Sequence, residues 1–143
     1  MKGKINFSII SDAEGIFPQM SLLEEGLDRC GQKQNLNQMM DLICSGRVLF
    51  VVGGRDLVAK GFFTCFMNGE ELVIWHGYIR PPDDITGITA AFEAINDVAS
   101  MVFKAKRVVF HTTRKGWQRV FAKFGFSQQV NPNGIFTYYK EVY

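Results

Sequence analysis

Residues Val108–Phe126 read VVFHTTRKGWQRVFAKFGF, and this stretch decides the fold. Arg107–His111 is short, β-branched and apolar, as a buried strand requires. Thr112 or Thr113 suits a helix N-cap, because a threonine hydroxyl accepts a bond from a first-turn N–H. Trp117, Val120, Phe121 and Phe124 then recur at helical spacing and form one apolar face. Gly125 ends that helix, since glycine enters the left-handed conformation at no steric cost. The reading is strand, turn, helix, stop.

Upstream, Ile88, Ala91, Phe92, Ile95, Ala99 and Val102 are spaced to pack a long helix on a sheet, over roughly Ile85–Ala105. The loop Ile79–Asp84 leads into it. Three strands precede that loop: Arg47–Val52, Leu57–Met67 and Glu71–Tyr78. The first two are joined by a turn at Gly53-Gly54-Arg55-Asp56, the last two by the hairpin signal Asn68-Gly69. No helix follows the glycine pair, so it is not a phosphate loop. In the third strand Leu72, Ile74, His76 and Tyr78 are expected on one face, with Val73, Trp75 and Gly77 on the other.

Farther upstream, Met20, Leu23, Leu27 and Cys30 predict a helix over 19–30 that stops at Gly31. Leu36, Met39, Met40 and Ile43 predict a second, capped by Asn35 and ended by Ser45-Gly46. Downstream, strands over 126–130 and 135–142 flank the turn Asn131-Pro132-Asn133-Gly134. An antiparallel meander that runs into a strand–helix–strand crossover predicts an α/β (α+β) mixed sheet. It has about six to seven mostly antiparallel strands and helices on both faces.

The bulk numbers agree with one domain over residues 1–143. An apolar content of 47% is ordinary for a globular core. No apolar run approaches the roughly 18 residues that span a bilayer, and Met1–Asn6 lacks the apolar stretch of a signal peptide. A cytoplasmic address is expected, with no membrane partner. Cys30, Cys44 and Cys65 are odd in number and widely spaced, so they read as buried thiols and no metal site is expected. Net charge is +2 but uneven. Between Val98 and Lys140 there are eight basic residues and no acidic one: Lys104, Lys106, Arg107, Arg114, Lys115, Arg119, Lys123 and Lys140. This is either a solvated face or a field for a polyanion such as a nucleotide phosphate or an acidic partner. No recognised nucleic-acid motif accompanies the basic and aromatic residues of 104–126, so nucleic acid is not the expected partner.

The order of elements resembles the GNAT acetyltransferase superfamily over nearly the whole chain. In Val108–Phe126 the strand, turn, helix and terminal Gly125-Phe126 are similar to the GNAT pattern that closes in Gly-Phe. Arg114 stands where that pattern has Asn, Trp117 where it has Ala, and Phe121 where it has Tyr. The resemblance implies that acetyl-CoA, or a related acyl-CoA, lies between the fourth and fifth strands of the family's core. Its pyrophosphate would meet backbone N–H groups in the loop after the fourth strand and at the next helix N-terminus. The matching stretch is Asp84-Ile85-Thr86-Gly87-Ile88-Thr89. The residues implied to hold the cofactor are therefore Ile79, Asp84, Thr86, Gly87, Ile88, Thr89, Arg114 and Trp117. Gly87 agrees with the family's central glycine. Asp84 and Thr89 depart from its pattern.

Pro81 and Pro82 lack N–H donors, and Asp83 or Asp84 either caps the long helix or faces a pyrophosphate with like charge. Phe121 has no hydroxyl to serve as an acid. His76 and His111 are the only histidines. The topology sets them near the ends of two neighbouring strands, where each is either hydrogen-bonded structure or a base for acyl transfer. Two readings stand. One is a GNAT-fold enzyme that transfers an acyl group to a small-molecule or protein amine. The other is a non-catalytic GNAT-fold binding protein. Arg114-Lys115-Gly116-Trp117 resembles short GNAT-like proteins of phages, which brings acidic or virion partners and a virion address into the second reading.

Overall fold

The computed structural model describes residues 6–55, 58–80, 85–112 and 118–142 of the chain. One seven-stranded sheet organises them, in the order β1-β2-β3-β4-β5-β7-β6. The strands are β1 (Asn6–Ile10), β2 (Leu49–Arg55), β3 (Val58–Asn68), β4 (Glu71–Ile79), β5 (Arg107–Thr112), β6 (Ser127–Val130) and β7 (Phe136–Glu141). All neighbours pair antiparallel except β4 and β5, which run parallel. The helices are α1 (Ala13–Ile16), α2 (Met20–Arg29), α3 (Leu36–Cys44), α4 (Ile85–Asp97) and α5 (Gln118–Lys123). The meander, the crossover and the mixed sheet expected from the sequence are all present.

Two apolar layers sandwich the sheet. Leu23 and Leu27 of α2, with Met39 and Ile43 of α3, bury against Phe50, Val52 and Phe62 on one face. Ile95, Val98 and Ala99 bury against Val51, Phe63, Leu72, Ile74 and Val108 on the other. Helix α2 approaches the sheet so closely that a Cβ on Gly26 would fall inside the Phe62 ring. Phe92, Phe110, Phe121, Phe124 and Phe126 gather beneath α5 in tilted and stacked contacts with centroids 4.3–5.8 Å apart.

Several local expectations need correction. Six strands are read from the sequence, and β1 supplies the seventh at the sheet edge. Gly53 and Gly54 lie within β2, not in a turn, and the register shifts between them. A side chain on Gly53 would press to 2.6 Å from the Phe7 ring of β1. Asn35 makes no side-chain cap; a 3₁₀ turn over Lys33–Asn35 runs directly into α3. The long helix does not persist to Ala105. It widens into a π turn over Val98–Val102, where Ser100 Oγ donates back to Asn96 O at 2.9 Å, and Lys104 closes it at φ 50°. Of the three thiols only Cys65 is buried, and burial pushes it up to about 12; Cys30 and Cys44 are exposed.

The face assignment in β4 also changes. Pairs from Gly61↔Ile79 to Thr64↔His76 keep one register, and pairs from Cys65↔Ile74 to Asn68↔Glu71 keep another. Trp75 is the extra residue of a β-bulge. Leu72 and Ile74 therefore face α4, whereas His76 and Tyr78 turn to the α2 face. Trp75 joins them, stacked on His76 with centroids 4.9 Å apart.

Candidate functional site

Strands β4 and β5 are paired over only four residues, from Glu71↔Arg107 to Ile74↔Phe110. Their closed end is tied by Arg107, which bonds Glu141 at 2.7 Å and lies 3.6 Å from Glu71. Beyond Ile74 the bulge bends β4, and the strands part. Backbone hydrogen bonding explains what this exposes. Arg80 N–H donates to Lys60 O at 2.7 Å, so beyond the bulge the even-numbered residues spend their polar groups on β3. Gly77 and Ile79 direct theirs to the opposite edge, where no strand among the described residues pairs with them. The opening is a cleft of about 760 Å³ that passes through the sheet, lined by Arg29 and Gln32 on one side and Ile88, Ala91 and Phe92 on the other.

His76 and His111 both line this cleft. His76 is 3% exposed, and each ring nitrogen is engaged. Gln32 Oε1 can only accept, so His76 Nε2–H donates to it at 2.7 Å. Nδ1 then accepts from Thr64 Oγ1 at 3.0 Å, and that hydroxyl in turn accepts His76 N–H. The bulge frees this N–H, and Thr64 takes it up. Burial pushes the imidazole down to about 4, so it is neutral near pH 7.

His111 is exposed and differently held. Its Nδ1 lies 3.0 Å from Thr137 Oγ1, which also receives Asn131 Nδ2 at 2.9 Å. Nε2 has no partner among the described residues. Val108 and Phe110 face α4, so strand alternation sets His111 on the α2 face with His76.

The structure adds residues that the sequence reading does not single out. Tyr78 OH donates to Glu25 Oε2 at 2.6 Å, and Arg80 Nε donates to the same oxygen at 2.9 Å. The Tyr78 and Arg80 bonds hold the Glu25 carboxyl below its usual range. Burial and the Glu25 bond raise the Tyr78 phenol, and the Arg29 guanidinium nearby opposes that rise. Gln32 is fixed by its N–H to Leu27 O at 2.7 Å, just after Gly31 turns to φ 73° and ends α2. Helix-to-sheet pairs of this kind join residues more than forty positions apart, and no local pattern signals them.

Of the other residues named from sequence, Ile79 and Ile88 line the cleft. Gly87 is buried in the first turn of α4, and Thr86 and Thr89 flank it on that helix. Asp84, Arg114 and Trp117 lie outside the described residues, as do Pro81, Pro82, Asp83 and Lys115. Phe121 is buried against Tyr138, stacked 4.2 Å between centroids, and the Tyr138 hydroxyl is buried with no partner among the described residues. Part of the basic set is spent internally: Lys106 pairs with Glu70 at 3.0 Å, and Lys140 Nζ donates to Phe124 O. Among the described residues no group of His, Cys, Asp and Glu side chains could hold a metal ion, and no helix is long and apolar enough to cross a membrane.

By sequence the chain matches no protein-family model and no curated protein. By structure it superposes on an acetyltransferase from Thermus thermophilus with a TM-score of 0.77 at 11% identity, covering 99% of this chain and 100% of that one. It also superposes on a GNAT-family acetyltransferase from Bacillus cereus, with a TM-score of 0.70 at 15% identity and 99% of each chain covered. The chain has the GNAT acetyltransferase fold. PaiA N-acetyltransferase from Thermoplasma acidophilum, solved in complex with coenzyme A, is a further match at TM-score 0.67 and 14% identity, covering 95% of this chain and 99% of that one. Identities this low carry the GNAT fold and not the substrate.

Proposed function

We propose that this chain binds an acyl-CoA, with acetyl-CoA the first candidate, and transfers its acyl group to an amine. The observation that carries the reading is the parting of β4 from β5, which leaves the Gly77 and Ile79 backbone groups without a partner strand among the described residues, along a cleft through the sheet. A pantetheine arm is an extended chain of amides and fits such an edge as a missing strand would. Ile74, Ile88, Phe92 and Phe110 offer its methylenes an apolar wall. The coenzyme A complex of PaiA N-acetyltransferase, which shares the fold, supports the same reading.

Transfer requires an uncharged amine to attack the thioester carbon. The C–N bond forms, the C–S bond breaks, and the ammonium proton goes to a base. His111 is the proposed base. Thr137 Oγ1 has lone pairs for both Asn131 and His111 Nδ1–H, and that tautomer leaves the Nε2 lone pair facing the cleft. His76 has both nitrogens engaged and serves as a positioning residue. Phe121 supplies no proton to the leaving group. A thiol that ionises near pH 8.5, as cysteine does at about that value, leaves as thiolate and takes its proton from water in the open cleft.

Calorimetric titration with acetyl-CoA tests the binding step, and thiol release in the presence of amines tests transfer. Saturable binding and His111-dependent release are expected. Silence up to about millimolar acetyl-CoA, equivalent to only about 4 kcal/mol of binding, overturns the reading.

A further inference from the structure

We infer that the acceptor carries its amine on an aromatic body with no second cationic group, and that this body stacks on Trp75. The inference rests on the acyl-transfer reading for the amine and on separate observations for the aromatic body. The acyl arm is assigned to the wall of Ile74, Ile88, Phe92 and Phe110, on the α4 side, so the α2 side is left for the acceptor. His111, the proposed base, is set on that side. Phe62, Trp75 and Tyr78 line it, and no carboxylate lines the cleft among the described residues. Glu25 of α2 has one carboxylate oxygen committed to Tyr78 OH at 2.6 Å and Arg80 Nε at 2.9 Å. A second ammonium would therefore lose water in the cleft without gaining a counter-charge, a cost that an aromatic ring does not incur.

Trp75 suits this contact because its ring is both held and accessible. It is 40% exposed and lines the cleft, so it leaves apolar area in water that a ligand can cover. Two ring contacts hold the indole. It stacks on His76 with centroids 4.9 Å and planes 26° apart, and it meets Phe66 at 5.8 Å with the planes 82° apart. His76 cannot turn away, because Gln32 Oε1 accepts its Nε2–H at 2.7 Å and Thr64 Oγ1 lies 3.0 Å from Nδ1. The indole is therefore a preset platform. A flat ring that lands on it adds stacking to burial without ordering a new side chain, whereas a saturated ring of the same size gains burial alone.

The test is calorimetric and needs no turnover. N-Acetylphenethylamine is compared with N-acetyl-2-cyclohexylethylamine, whose saturated ring is of similar size, and with N-acetylputrescine, which keeps a free ammonium. The wild-type chain is expected to bind the aromatic amide at least about threefold more tightly than the cyclohexyl amide, the usual worth of an aromatic pair. It should bind the cationic amide at least about tenfold more weakly than the aromatic one. Trp75→Leu should abolish the preference for the aromatic ring and Trp75→Tyr should retain it, with circular dichroism confirming that each variant folds. In the wild-type chain the aromatic amide should also move the Trp75 indole N–H resonance, assigned by triple-resonance spectroscopy, and this decides the matter if Trp75→Leu does not fold. Equal binding of the aromatic and cyclohexyl amides, N-acetylputrescine bound as tightly as the aromatic amide, or a preference that survives Trp75→Leu would each overturn the inference. So would an unmoved Trp75 resonance, or no binding of the aromatic amide up to about 10 mM. Acetyl-CoA titrated into the same wild-type sample separates the two proposals. Acetyl-CoA binding without an aromatic preference ends this inference alone. An aromatic preference without acetyl-CoA binding ends the acyl-transfer reading and leaves the aromatic site.

Discussion

Burial of His76 should make the protein lose stability in mild acid, and the structure sets the size of the loss. The imidazole titrates at about 4 in the folded chain against 6.5 when free. Between those values the unfolded chain binds a proton that the folded chain refuses, so stability falls as the pH drops. The shift spans 6.5 − 4 = 2.5 pH units, which corresponds to about 3 kcal/mol in full. From about pH 7.5 to about pH 5 the loss is about 2 kcal/mol, because the folded-state titration has hardly begun there. Glu25 does not confuse this window. Its carboxyl is held below the ordinary 4.5, so the stability it contributes is present above that value and is lost only at lower pH. Urea unfolding at the two pH values, followed by circular dichroism, reads the effect directly. His76→Gln keeps a polar side chain but cannot titrate, and it should flatten the pH dependence whatever its absolute stability. An equal slope in wild type and His76→Gln, at unchanged m-values, would refute the reasoning.

Other perturbations probe the cleft and its supports. A Cβ on Gly77 meets nothing within 4 Å, so Gly77→Leu should fold normally and fill the parting between β4 and β5. Its melting temperature should stay within a few degrees of wild type, while acetyl-CoA affinity by calorimetry falls about a hundredfold or more; unchanged affinity would remove the β4 edge from the binding site. Tyr138→Phe deletes a buried hydroxyl that has no partner among the described residues, and should raise unfolding stability by about 1 kcal/mol. A destabilised variant would show that the hydroxyl is satisfied. Gly26→Ala drives a methyl into the Phe62 ring and towards Tyr78 Cβ at 3.0 Å. It should cost about 1–3 kcal/mol in a denaturant melt, and a neutral result would mean that α2 can lift from the sheet freely.

The fold was legible where local chemistry and global position agree. Asn68-Gly69 marks a hairpin, and Gly69 takes φ 63° there. The apolar run Arg107–His111 places β5 to within a residue, and the stop at Gly125 places the end of α5. Thr112, however, belongs to β5 and does not cap a helix, Thr113 lies outside the described residues, and α5 is described from Gln118. What escaped was set by partners. NFSII of β1 is a short edge strand whose residues are mostly exposed, so it carries little apolar pattern. Glycines 53 and 54 look like a turn because their real constraints, the Phe7 ring against Gly53 and the Val58 carbonyl against Gly54, belong to other strands. The stripe through Ala99 and Val102 continues past the end of α4, and only the Ser100 back-bond marks where the ladder loosens. At the site, His76 and His111 were visible as the only histidines, but their environments were not. Gln32 and Arg29 stand on or just after a helix remote in sequence, and they reach the cleft only because α2 packs against β3 and β4, which also sets Glu25 against Tyr78 and Arg80.

The bulge at Trp75 links most of these features. Were Trp75 paired as an ordinary strand residue, β4 would keep one alternation from Glu71 to Ile79, and His76 would face α4 in line with Ile74. Thr64 could then neither accept its N–H nor orient its ring, and Gln32 would lose the donor that sets its carboxamide. The same residue bends β4 away from β5, which is why pairing stops at Ile74↔Phe110 and the Gly77 and Ile79 polar groups meet an open cleft. Deleting Trp75 tests this directly. A one-residue deletion should restore continuous register, detectable as cross-strand contacts between Gly77 and Phe110 or its neighbours by nuclear magnetic resonance. Because the deletion sets His76 directly after Ile74, His76 keeps Thr64 as its cross-strand partner and the α2 face, so its imidazole should stay depressed at about 4. A deletion variant that stays folded with β4 and β5 still parted beyond Ile74 would show that the surrounding packing, and not the bulge, sets the parting of the strands.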